Sequence, residues 1–247
     1  MAISYVASCY MANYSNLANQ IDSSVECFTF DSIASTNDYL SALAFSDTTQ
    51  ICIASEQTQG KGQYDRAWLS QKDASILLSI RYVFRADLSL NGLSLVIGLA
   101  IASALEELGI KQIKLKWPND VFFDNKKLAG ILIENSVQGE YQSVVIGLGL
   151  NYDLNQKFEC QSPWVDLVSI IPKLPAIENL AASLINHILK NLTPRYKNIN
   201  HKISNGETFD KILSGYSITN DEIIKIKKEL NLDYNLNSLK TNLDIKF

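Results

Sequence analysis

Residues Lys114 to Glu134 read KLKWPNDVFFDNKKLAGILIE. From Gln112 to Trp117, Ile113, Leu115 and Trp117 alternate with Lys114 and Lys116, so a strand there places apolar groups on one face and both ammonium groups on the other. Pro118-Asn119-Asp120 stops it, because proline lacks an amide donor and Asn and Asp turn the chain by bonding their own backbone. A second apolar run, Val121 to Phe123, passes through Asp124-Asn125-Lys126-Lys127 into a third, Leu128 to Glu134. The pattern predicts a small antiparallel meander with Lys116 at the lip of a turn.

On either side of the meander the chain alternates strands and helices. Cys27 to Phe30 is a short strand. Ser35-Thr36-Asn37-Asp38 has the spacing of a helix cap, with Ser35 as N-cap and Asp38 in the first turn, ahead of a helix carrying Leu40, Leu43 and Ala44 inward. Ile51 to Ala54 is an apolar strand. Glu56 to Ser70 (EQTQGKGQYDRAWLS) is polar, holds Gly60 and Gly62, and is a loop, and Ile76 to Phe84 returns to strand. Leu93, Val96, Ile97, Ala100, Ile101, Ala104, Leu105 and Leu108 recur at helical spacing and stop at Gly109. Gln142 to Leu150 is a buried strand, Asn155 to Pro163 is loop-like, and Ile177 to Leu192 is an amphipathic helix closed by Pro194. Strands in meander order with the two long helices on one side predict an α+β fold, a mixed, mainly antiparallel sheet packed on helices.

The chain has 247 residues, 47% hydrophobic and 19% charged, a length that fits one large domain or one domain with a small appendage. We read residues 1–200 as the main domain, with its core at 27–192, and residues 201–247 as an appendage of different composition, in which Thr219 to Leu230 has helix signals. A net charge of -4 argues against a general nucleic-acid binder. Cys9, Cys27, Cys52 and Cys160 form no CxxC pair, so neither zinc site nor disulfide framework is signalled. No apolar run reaches membrane-spanning length, and a cytoplasmic protein of reduced thiols is expected.

Taken singly, the candidate residues are bland. A GxG fragment is more often a turn than an anion cradle, a Lys on an open strand face is usually solvated, and Asn119 and Asp120 suit a turn better than a metal. His187 and His201 have no partner pattern for nucleophilic catalysis and read as structural. No GxSxG elbow or HExxH helix is present.

In order along the chain, however, Ser35-Thr36-Asn37, the loop from Glu56 to Trp68, Lys116-Trp117-Pro118-Asn119-Asp120, Lys127 to Glu134 (KLAGILIE) and Gly147-Leu148-Gly149-Leu150-Asn151 together resemble the biotin protein ligases. The resemblance covers about Phe30 to Trp164, in the short form of that family without a DNA-binding domain, and KWPND with KLAGIL is its most specific part. It implies the class II aminoacyl-tRNA synthetase-like fold. It also implies that biotin is activated by ATP to biotinyl-5'-adenylate and passed to a lysine of a biotin carboxyl carrier domain, in a cytoplasmic enzyme with no nucleic-acid or membrane partner. An exposed edge strand would also allow a homodimer.

Carried over residue by residue, the resemblance puts Ser35, Thr36, Asn37 and Gln57 at the biotin head. Gly60, Lys61, Gly62 and Gln63 form the loop closing over the adenylate, and Lys116 is the catalytic cation between biotin carboxylate and α-phosphate. Lys61, Arg66, Trp68, Asn119, Lys127 and Asn151 fall on the nucleotide side. No protein metal ligand is implied, since Mg2+ would be carried by ATP. Many relatives have a GRGRxGR loop where this chain has GKGQYDR, so Gln63 and Asp65 stand for Arg and Gly, and Lys61 and Arg66 are left to carry the positive charge. The tail does not read as the small SH3-like barrel the family usually appends. Two other readings share the ligand chemistry: a lipoyl or octanoyl transferase of the same superfamily, and a regulator that binds biotin or its adenylate without turnover.

Overall fold

The structure, a computed structural model, describes residues 14–154, 162–192, 201–202, 209–215 and 244–245. It divides into two units, Met1–Thr193 and Pro194–Phe247. The first holds β1 (Glu26–Phe30), α1 (Thr36–Ala42), β2 (Gln50–Ala54), β3 (Ser75–Arg85), α2 (Leu93–Glu107), β4 (Ile113–Lys116), β5 (Asp120–Phe123), β6 (Lys126–Gln138), β7 (Tyr141–Asn151) and α3 (Ile177–Leu192). Its strands make one seven-stranded sheet in the order β1-β2-β3-β7-β6-β5-β4. Only β1 and β2 run parallel, joined by the crossover that contains α1. The expected mixed, mainly antiparallel α+β architecture is the one observed.

The Lys114–Glu134 meander forms as β4, β5 and β6, with a register shift between Val121 and Phe122. Its apolar face is shorter than the alternation implied: Trp117 lies beyond β4 at 76% exposure, and the Trp117–Pro118 peptide is cis. Lys114 and Lys116 are both exposed, as expected.

Alternation along β2 sorts the two faces of the sheet. Ile51 and Ile53 enter the large core shared with α2 and α3, while Cys52 joins Leu40 and Val145 beneath α1. Inside α2, Gly98 allows β4 to approach, since a β-carbon there would lie 2.9 Å from Leu115 Cδ2. The buried stripe of α2 begins at Ile97; Val96, expected inward, is exposed with Leu95 and Leu99. Gly109, at φ 85, follows the helix in the left-handed region that ends many helices. α1 ends at Ala42, so Ala44 lies outside the helix and is exposed.

His187 is structural, with Nδ1 2.9 Å from the Ser183 carbonyl and Nε2 3.2 Å from Glu107 Oε1 of α2. Cys27 and Cys52 are free thiols. Among the described residues no helix is long and apolar enough to cross a membrane. In the second unit β8 (His201–Lys202) pairs antiparallel with β9 (Asp244–Ile245), and α4 spans Phe209–Gly215. The helix expected over Thr219 to Leu230 lies outside the described residues, as do Cys9 and Cys160.

Candidate active site

The polar end of the site is built on the first turn of α1. Ser35 caps the helix, its hydroxyl accepting the Asp38 amide at 3.3 Å, an interaction worth about 1 kcal/mol. That start turns Thr36 and Asn37, both buried, onto the sheet. Thr36 donates its amide and its hydroxyl to Gln57 Oε1 at 2.7 and 3.0 Å. Two donors on one oxygen set the orientation of the Gln57 carboxamide and leave its Nε2 as a donor. Asn37 Nδ2 donates to Glu134 Oε2 at 2.7 Å, and a carboxylate only accepts, so this carboxamide is oriented too. Ser79 on β3 sits beneath both, its hydroxyl 2.6 Å from Asn37 Oδ1 and 2.7 Å from Thr36 Oγ1.

Ser35, Thr36, Asn37 and Gln57 line a cavity of about 310 Å³ whose apolar walls include Leu78, Ile131, Leu132 and Leu148. The volume is at the lower end for small-molecule sites, and a few convergent polar groups on apolar walls are the usual lining. Glycines shape its floor. Gly147 and Gly149 leave β7 on the same face, about 7 Å apart at strand rise, and Gly149 pairs with Gly130 of β6. A β-carbon at 147 would overlap Asn37 Oδ1, and one at 149 would overlap the Trp68 indole. At 130 it would lie 2.8 Å from Trp68 Cζ3. The flat indole rests on bare backbone, and its buried N–H has no acceptor among the described residues.

Cations ring this cavity. Lys127 Nζ lies 2.7 Å from Asp120 Oδ1 and 5.2 Å from the Trp68 ring centroid. Lys116 Nζ stands 5.3 Å from the Phe122 ring centroid, at the cavity lip. Among the described residues neither Lys116 nor Arg66 has an ion-pair partner. Lys61 Nζ meets Asp38 Oδ1 at 2.6 Å and so ties the glycine loop to α1. Both partners are about half exposed, and such pairs contribute roughly 0.2–1 kcal/mol. The loop is closed on itself: the Gly62 amide donates to the Arg66 carbonyl at 2.7 Å, and the Trp68 amide to the Gly60 carbonyl at 2.9 Å. The Gly62 N–H is therefore occupied within the loop. Tyr64, at φ 57 and largely exposed, makes the turn at the loop tip.

The family model for the biotin/lipoate A/B protein ligases matches residues 29–151. The chain is 35% identical over 161 residues to the bifunctional ligase/repressor BirA of Escherichia coli, covering 63% of this chain and 50% of that protein. Biotin protein ligase from Aquifex aeolicus in complex with biotin and ATP superposes with a TM-score of 0.59 at 28% identity, over 68% of this chain and 70% of that one. A point mutant of that ligase in complex with biotin gives a TM-score of 0.55 at 30% identity over the same shares. The chain belongs to the biotin/lipoate A/B protein ligase family. It spans about half the length of the curated relatives it matches, and its sheet and helices have the architecture of the ligase structures.

The residues to which the ligase resemblance pointed are mostly gathered in one place. Ser35, Thr36, Asn37, Gln57, Lys61, Gly62, Gln63, Arg66, Trp68, Lys116, Asn119 and Lys127 all line the cavity. Two do not. Gly60 borders an adjoining depression of about 650 Å³ that shares the loop residues 61–64, 66 and 67 with the first cavity. Asn151 is buried, and its Nδ2 donates to the Lys127 and Val165 carbonyls at 3.3 and 3.0 Å. There it ties β6 to the 163–165 segment, because a buried carboxamide takes the carbonyls within reach. Lys114, given no role, does not line the cavity.

Ser79, Glu134, Asp120 and the glycines of the floor were not singled out from sequence as site residues. The GLG spacing of Gly147 and Gly149 was the available signal, since two glycines two apart in a strand strip one face of side chains. Ser79 and Glu134 gave none, because their partners on α1 are distant in sequence.

Proposed function

We propose that this chain joins biotin to ATP and then biotinylates a carrier protein. In the first step a biotin carboxylate oxygen attacks the α-phosphorus, the bond to the β-phosphate breaks, and biotinyl-5'-AMP and pyrophosphate form. In the second the neutral ε-amine of a lysine on a biotin carboxyl carrier domain attacks the acyl carbon. AMP leaves, and the amine's proton goes to solvent.

The observation that carries this reading is that one cavity has an oriented cluster of neutral hydrogen-bonding groups on α1, apolar walls, and, among the described residues, unpaired cations at the lip. A ureido ring presents one carbonyl acceptor and two N–H donors, which Gln57 Nε2, the Thr36 hydroxyl and Asn37 complement. The valeryl chain suits the Leu132 and Leu148 walls. Trp68, flat on the glycine floor with its N–H unpaired, suits a purine, after displacement of the Lys127 ammonium from its face.

Lys116 opposes the repulsion between the biotin carboxylate and the α-phosphate and stabilises charge developing on the transferring group; it is not a nucleophile. Among the described residues Asp120, paired with Lys127, is the one carboxylate in the cavity lining, so magnesium is assigned to the ATP phosphates and not to protein ligands.

Calorimetry with biotin, lipoate and octanoate, together with pyrophosphate release, tests the reading. Biotin-selective binding and biotin-dependent pyrophosphate release are expected. Selective lipoate or octanoate binding would support the acyl transferase reading instead, and biotin binding without pyrophosphate release the regulator.

A further inference from the structure

Ser79 and Arg81 are two apart on β3, so their side chains leave the strand on the same face, the one covered by α1. Ser79 meets Thr36 and Asn37 at the start of the helix. Arg81 meets the other end: Nη1 donates to the Leu40 and Leu43 carbonyls at 3.0 Å each, and Nη2 to the Ala44 carbonyl at 2.7 Å. One strand thus grips both ends of the helix that carries the polar cluster.

The Arg81 residue is 3% exposed, and its Nε has no hydrogen-bond partner among the described residues. Among them it has no ion-pair partner either. Burial pushes its proton affinity down, opposed by the charge of Glu26. A buried guanidinium without a carboxylate is expensive, and here its hydrogen bonds go only to the end of α1. That end needs them. The last carbonyls of a helix lack partners within it, α1 has no basic residue in its last turn, and its C-cap Leu43 is extended and not a left-handed glycine. At seven residues α1 is far below the length at which a helix holds itself in water, so its placement comes from tertiary anchors.

We infer that Arg81 is a positioning residue for the biotin head, acting through α1: by holding the helix at its far end, it fixes where Thr36 and Asn37 sit over Ser79. This rests on the reading of the cavity as a biotin site. Arg81 does not line the cavity. Of the nucleotide-side groups that line the cavity, Lys127 stands on β6, Asn119 on the turn between β4 and β5, and Lys61, Arg66 and Trp68 on the loop after β2. Arg81 hydrogen-bonds none of them, and Lys61 meets α1 only through its half-exposed pair with Asp38, so removal of Arg81 weakens biotin binding far more than ATP binding.

The test compares wild type with Arg81→Met, similar in volume and uncharged, and Arg81→Lys, which keeps a charge and can reach part of the carbonyl set. Readouts are biotin Kd, the KM for ATP, and amide hydrogen exchange across residues 36–44. Expected in Arg81→Met are a biotin Kd raised roughly tenfold or more, about 1.4 kcal/mol, an ATP KM within about twofold, and faster exchange confined to α1, with partial recovery of the biotin Kd and of the exchange in Arg81→Lys. Equal losses for biotin and ATP would mean a general structural role and overturn the inference, as would unchanged biotin binding in a folded Arg81→Met protein. Should Arg81→Met not fold, Arg81→Lys decides, since its biotin Kd and its α1 exchange must rise together. If wild type binds no biotin, the functional reading fails first; if wild type binds and the variants bind equally, only the inference on Arg81 fails.

Discussion

Asn37 lies so close to Gly147 that a β-carbon at position 147 would occupy the place of its Oδ1. The same carboxamide is held by Ser79 and Glu134, so it has nowhere to move without losing a hydrogen bond. Two residues along β7, Gly149 stands in the same relation to Trp68. Gly147→Ala is therefore expected to weaken biotin binding, and Gly149→Ala ATP binding, each on the order of ten- to a hundredfold, since displacements near 1 Å have such effects at tight sites. Separate titrations of each ligand check this, and a crossed result, with Gly147→Ala affecting only ATP, would contradict the assignment of the two ends.

Glu134 accepts from Asn37 and does not itself line the 310 Å³ cavity. Glu134→Leu removes the acceptor that orients the carboxamide, whereas Glu134→Gln retains one through its Oε1. A hydrogen bond to a charged group contributes about 1.5–3 kcal/mol, so the Leu variant should raise the biotin KM about tenfold or more, with the Gln variant near wild type. Equal behaviour of the two would remove this role.

Gln63, at the cavity rim, brings no charge to a loop whose Gly62 amide is already engaged. Lys61 and Arg66 are left to retain the adenylate. Gln63→Arg is expected to slow release of biotinyl-5'-AMP severalfold, as measured by chase of labelled intermediate in the absence of carrier. Unchanged release would count against the proposal.

Burial pushes the Cys27 thiol up to about 11, and burial, with the neighbouring Cys27 charge, pushes Cys52 higher still. Because the native values are raised above those of the unfolded chain, the stability contribution is complete below the ordinary thiol range and is lost as pH rises through about 11 for Cys27. At pH 8 both are thiols, not thiolates, and iodoacetamide should leave both unmodified in the native protein while labelling both in denaturant. Mass spectrometry of peptides containing each cysteine reads the outcome, and rapid native labelling of Cys27 would contradict it.

The meander, the Ser35 cap and the long helices were legible because period-two and period-3.6 patterns and capping chemistry are local. Trp117 broke the pattern because it falls past the last residue of β4, and Val96 because α2 is apolar almost all round, so spacing alone does not tell which side meets the sheet. The site was legible through the order of its motifs. What they did not carry was the support: Ser79 and Arg81 sit in a strand as ordinary polar alternates, and only the packing of α1 over β3 shows that they are buried. Asn151 shows the converse, a motif residue whose side chain faces backbone carbonyls and not the cavity.

The most direct measurement incubates the protein with labelled biotin, ATP, magnesium and an apo carrier domain, beside Lys116→Ala. Removing the cation at the cavity lip should cost several kcal/mol of barrier, on the order of a hundredfold or more in rate. Label on the carrier lysine with wild type and its near loss in Lys116→Ala, with biotin still bound, is the predicted result. Transfer at the wild-type rate by Lys116→Ala, or no transfer by wild type, would contradict it.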